Sequence, residues 1–125
     1  MNSRKPSVVP IPLYQAKAEL FRTLGHPVRI RVLEILQHGP TPVSELLQQL
    51  AIEPSSLSQQ LAVLRRAGIV TSTRAGSAVI YQLAAPDVAD LMQAARRLLT
   101  QVLLGQGELL AELTRSGEEA QMSWR

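Results

Sequence analysis

The stretch PSSLSQQLAVLRR, residues 54–66, decides how the rest of the chain is read. Pro54 and Ser55 suit the opening of a helix. Leu57, Leu61 and Leu64 then recur at helical spacing and form a stripe that must be buried. Gly68 ends the run. The remaining positions are Ser55, Ser56, Ser58, Gln59 and Gln60, with Arg65 and Arg66 closing the helix. Hydroxyls and amides donate and accept hydrogen bonds without bringing a carboxylate near phosphate. Gln can pair bidentately with adenine, and Ser serves base or phosphate. The two arginines complement the helix dipole and reach for phosphate. These residues are the expected DNA-reading face.

The segments on either side fit that reading. Upstream, Thr41-Pro42 reads as a hydroxyl N-cap followed by proline, and Val43, Leu46, Leu47 and Leu50 give a short apolar face ending near Ala51. Two short helices a tight turn apart form a helix-turn-helix: one helix enters the major groove, and its partner fixes the angle. Downstream, the β-prone runs 69–73 and 78–83 flank Arg74-Ala75-Gly76-Ser77, a predicted hairpin. Arg74 and Ser77 at its tip are further candidate DNA contacts, in the minor groove or on phosphate.

Further out, Leu13, Ala16, Leu20, Phe21 and Leu24 predict a helix stopped by Gly25. A second helix is predicted from Pro27 to Gln37, with Gly39 as its stop. Pro86 begins a last helix carrying Val88, Leu91, Met92, Ala95, Leu98, Leu99, Val102 and Leu103 on one broad stripe. Gly105 and Gly107 weaken that helix, and Leu109, Leu110 and Leu113 can resume it. Residues 1–12, with three prolines, read as a flexible arm, residues 13–115 as one domain, and residues 116–125 as a frayed polar tail. The expected class is mainly α with a small β-hairpin, a winged helix-turn-helix in the order α-α-α-α-β-β-α.

Composition narrows the function. The chain has 125 residues, 46% hydrophobic and 3% aromatic, so its core must be built from Leu, Ile, Val and Ala. The net charge of +3 is uneven, with a basic front through Ser77 and a mildly acidic stretch from Pro86, as suits a surface that meets a polyanion. With no cysteine, disulfides, thiolate ligands and thiol nucleophiles are excluded. No apolar run is long enough to span a membrane, and Arg4 and Lys5 precede no signal-like stretch. A cytoplasmic protein is expected. No G-x-S-x-G elbow, phosphate loop or H-E-x-x-H pattern is present, so no catalytic residues, enzyme activity or cofactor are expected.

With the motifs assembled, the chain resembles the ArsR/SmtB family over about residues 15–85. The resemblance is carried by Thr41–Leu47, by Pro54–Val70, by the hairpin ending Val79–Leu83, and by the upstream Phe21–Leu36 signature. It implies a homodimer held by the first and last helices and bound to a pseudo-palindromic operator. In most members it also implies repression relieved by a metal or another signal. Leu13 and Leu20, with Val88, Leu91, Met92, Ala95, Leu98, Leu99 and Val102, are the candidate dimer residues. Many relatives have histidine where this chain has Gln60. Metal-sensing relatives place cysteines at Val43–Leu47, or Asp and His pairs on the last helix, which here has no histidine from Pro86 to Leu113.

His26 and His38 are the two possible nitrogen ligands. At helical rise they lie about 18 Å apart, too far to share a metal within one subunit. His26 occupies an N-cap position, and His38 precedes the terminating Gly39. No metal site is therefore expected, and the signal is left to a small molecule, a partner protein or nothing direct. Two alternatives stand beside this reading. One is a metal-responsive regulator joining His26 or His38 of one subunit to carboxylates of the other. The other is a winged-helix protein-interaction module, against which the Ser/Gln-rich face argues, because it lacks apolar anchors.

Overall fold

The computed structural model describes residues 10–123. The expectation of an N-terminal arm lies outside the described residues, apart from Pro10–Pro12, which have no regular structure. The elements are α1 (Leu13–Leu24), α2 (Pro27–Leu36), β1 (Thr41–Pro42), α3 (Val43–Leu50), α4 (Pro54–Arg66), β2 (Val70–Ala75), β3 (Ala78–Leu83) and α5 (Pro86–Ser123). They form two compact units, one ending at Ala89 and the other starting at Asp90.

The order contains one element more than the sequence reading. Thr41 is not an N-cap. Its hydroxyl donates to the Gly39 carbonyl at 2.9 Å, and the cap position of α3 falls to Pro42, with no side-chain bond. Thr41 and Pro42 instead pair with Tyr81 and Ile80, which makes a three-stranded antiparallel sheet in the order β1-β3-β2. The hairpin tip is also tighter than expected. Arg74 and Ala75 belong to β2 and pair with Val79 and Ala78, leaving Gly76-Ser77 as a two-residue turn. Gly76 has φ 63° while Ser77 stays outside the positive-φ region, the pattern of a type II′ hairpin turn.

Helix ends follow from local chemistry. His26 caps α2, its Nδ1 accepting from the Val28 N–H at 3.1 Å, with Pro27 at the first position. The α4 terminus is a Schellman motif. The Gly68 and Ile69 N–H groups donate to the Arg65 and Leu64 carbonyls, each at 3.0 Å, and Gly68 has φ 77°. Buried Ile69 and Leu64 supply its apolar contact. This turn converts the end of α4 into the start of β2.

The core of the first unit is aliphatic. Val32 and Leu33 of α2, Leu46 of α3, Leu57 and Leu64 of α4 and Val70 of β2 are the large side chains most completely enclosed. Tyr81 is the one buried aromatic residue among the described ones.

In the second unit, α5 passes through Gly105 and Gly107 without a break and continues beyond residue 116 to Ser123. The two glycines cost roughly 1 kcal/mol each relative to alanine. The Leu, Gln, Glu and Ala around them are strong helix formers.

The two turns around α4 make opposite predictions. Ala51 ends α3 in the left-handed region at φ 54° and ψ 48°. Ala51→Gly is expected to raise the free energy of unfolding by about 0.5–1 kcal/mol in denaturant titration. Gly68→Ala is expected to lower it by about 1 kcal/mol or more, a backbone effect alone, since a Cβ there meets nothing within 4 Å.

Candidate nucleic-acid interface

The orientation of α4 follows from its buried stripe. Leu57, Leu61 and Leu64 are at most 2% exposed. At about 100° per residue, the opposite side is the line Ser55, Gln59 and Arg66. All three are exposed, as are Ser56, Ser58 and Arg65. Burial of the leucines therefore presents the hydroxyl, amide and guanidinium groups together.

Ser58 and Arg65 face the hairpin across a groove of about 640 Å³, lined also by Ser44 of α3, Ala62 and Ser77. Its lining holds no carboxylate. Arg74 lies on β2, next to the turn, and is exposed. Arg65, Arg66 and Arg74 take part in no ion pair among the described residues, where the recorded pair is Arg22–Glu19 at 3.4 Å. Their charge is thus available to an external anion.

Gln60 departs from the other predicted readers. It is half-buried, and its Oε1 accepts a 2.7 Å hydrogen bond from Arg29 Nε of α2. The same guanidinium donates through an η-nitrogen to the Thr23 carbonyl at 2.9 Å. Arg29 thus ties the end of α1, α2 and the flank of α4 together. Sequence reasoning missed Arg29, because its partner lies 31 residues away. Its position in the first turn of α2, where a cation opposes the helix dipole, was the available signal.

Of the expected dimer residues, Met92 is buried in the lone chain, and Val88 and Leu91 are half-buried. Leu13, Leu20, Ala95, Leu98, Leu99 and Val102 are exposed. Leu103, Leu104, Leu109, Leu110 and Leu113 extend the exposed apolar surface of α5.

A helix-turn-helix domain model matches residues 24–73, which span α2 to β2. The HTH-type transcriptional regulator Rv0081 of Mycobacterium tuberculosis is 50% identical over 107 residues, 85% of this chain and 94% of that protein. Its crystal structure superposes with a TM-score of 0.73 at 52% identity, covering 78% of this chain and 98% of that one. The transcriptional repressor SmtB of the same species is 36% identical over 87 residues, 70% of this chain and 64% of that protein. The chain belongs to the ArsR/SmtB family. It is a DNA-binding transcriptional regulator with a winged helix-turn-helix fold. A likeness of fold alone, at 24% identity and TM-score 0.67, links it to the homodimeric winged helix-turn-helix domain of Mb0332 from Mycobacterium bovis, over 73% of this chain and 84% of that one. No described helix of this ArsR/SmtB member is long and apolar enough to cross a membrane.

Proposed function

We propose that the protein acts as a homodimeric repressor on a pseudo-palindromic operator, with α4 in the major groove and the β2–β3 hairpin on the adjoining backbone or minor groove. The observation that carries this reading is the exposed line Ser55, Gln59 and Arg66, opposite a fully buried leucine stripe. Gln59 supplies the donor and acceptor needed to read a base pair, and the serines serve bases or phosphates. Arg65, Arg66, Arg74 and Ser77 supply phosphate contacts that set register and affinity.

The dimer reading is supported by the exposed apolar residues of α1 and α5. Leu13 is 70% exposed, and Leu98 and Leu99 are 63% and 56% exposed. Monomeric soluble proteins rarely leave so many large apolar side chains along one helix in water as α5 does between Leu98 and Leu113. A second copy covers them with the same surface, as two-fold symmetry requires. The half-buried Val88 and Leu91 and the buried Met92 have less to give, so the centre of the interface moves to Leu98, Leu99 and Val102.

Regulation proceeds without a transition metal in this reading. Nδ1 of His26 is engaged by the Val28 N–H, and exposed carboxylates such as Asp87 and Asp90 offer only hard oxygen donors. A small molecule or a partner protein remains the class of signal.

Four measurements test these points. Gln59→Ala is expected to flatten base preference at one position, at a cost of about 1–3 kcal/mol on the preferred site. Arg74→Ala is expected to weaken preferred and random duplex alike and to lower the salt slope by about one. Equal loss on both duplexes for Gln59→Ala would remove base reading from α4. Light scattering at micromolar concentration is expected to give twice the chain mass without ligand, and a monomer mass would refute the dimer. Calorimetry with Zn²⁺ or Ni²⁺ is expected to show no stoichiometric submicromolar binding. Binding abolished by His26→Ala or His38→Ala would establish an intersubunit site instead.

A further inference from the structure

The Arg29–Gln60 contact gives α4 a second kind of polar residue. A glutamine that pairs with adenine must offer both its oxygen and its nitrogen to the base edge. In Gln60 the oxygen is directed inward to Arg29 at 2.7 Å, and the side chain is half-buried. Leu57, Leu61 and Leu64 fix the depth of α4. Aliphatic packing is weakly directional, however, and permits small rotations about the helix axis. A charge-assisted hydrogen bond to the flank of the helix is directional. Arg29 is itself held by its second bond, to the Thr23 carbonyl at 2.9 Å, so the guanidinium is a fixed point rather than a swinging side chain.

We infer that Gln60 and Arg29 form a positioning pair: neither residue contacts DNA, and together they set the rotation of α4 that aims Ser55, Gln59 and Arg66 into the groove. The inference rests on the proposal that α4 is the reading helix. It assigns Gln60 a role opposite to the base-reading one that its place in the sequence suggests. It also names Arg29 of α2, outside the α3–α4 pair, as a determinant of DNA affinity. Arg is required there because its planar fork holds two acceptors at once, which a lysine ammonium on a flexible stem cannot reproduce.

A double-mutant cycle with Gln60→Met and Arg29→Lys tests the pair. Methionine preserves length and apolar packing, and lysine preserves charge, so both variants are expected to fold, as checked by thermal unfolding. Each is expected to weaken the preferred operator about tenfold or more, the scale of one lost hydrogen bond to a charged group. The double variant is expected to be no weaker than the worse single variant. Base preference for Gln60→Met is expected to relax only at the position that Gln59→Ala flattens, and the salt slope is expected to stay unchanged in a charge-removing Arg29→Gln variant. A changed preference with Gln60→Met at a base position that Gln59→Ala leaves untouched would make Gln60 a reader and overturn the inference. Multiplicative losses in the double variant, or a salt slope lowered by about one in Arg29→Gln, would also overturn it. Gln59→Ala on the same operator panel reports separately on α4 as the reading helix. A failure of that reading is then distinguishable from a failure of the pair.

Discussion

Burial of Leu57, Leu61 and Leu64 sets the geometry on which the interface depends. With 3% aromatic residues, the chain has few large rings to anchor its core, and enclosed aliphatics from α2, α3, α4 and β2 do that work instead. A fully buried leucine contributes roughly 1.5–3 kcal/mol, so rolling α4 to expose this stripe would cost several times a typical hydrogen bond. The polar face is therefore presented by exclusion: what cannot enter the core faces solvent. The Schellman turn at Gly68 then carries the same constraint into the hairpin, because Leu64 and Ile69 are buried on either side of it.

What could be read from the sequence was what local periodicity encodes. The leucine stripe of α4, the proline and histidine at the start of α2 and the β-prone runs around Gly76 each carry their signal within a few residues. The Thr41–Pro42 strand was not legible, since two residues, one of them proline, make no recognisable strand pattern. Its pairing with Tyr81 depends on a partner 40 positions away. Gln60 misled for a related reason. In the sequence it sits beside Gln59 and looks equivalent, yet one step along a helix turns it about 100° toward α2. The continuous α5 illustrates the limit of breaker rules, because an exposed glycine weakens a helix by an amount that its neighbours can offset.

Electrostatics complements the shape without dominating it. The net charge is only +3, but Arg65, Arg66 and Arg74 are exposed and free of ion pairs among the described residues. A groove with hydroxyls and one guanidinium, and no carboxylate in its lining, adds no local repulsion to an approaching polyanion. Arg29 illustrates the contrasting use of the same residue type. It is half-buried, and its hydrogen bonds to Gln60 and Thr23 are spent within the protein.

The three-stranded sheet has a consequence for self-association. Its order leaves β1 and β2 as the two edges. The β1 edge is two residues long, and Pro42 has no N–H to offer an incoming strand. The β1 strand itself thus offers little to an incoming strand, while the other edge is the outer backbone of β2, with Arg74 near its tip. Growth of a cross-β ribbon requires every added copy to present two usable edges. An edge strand this short, with a proline in place of one donor, works against such growth. The exposed hairpin thus carries a built-in brake on edge-to-edge stacking at its short β1 side.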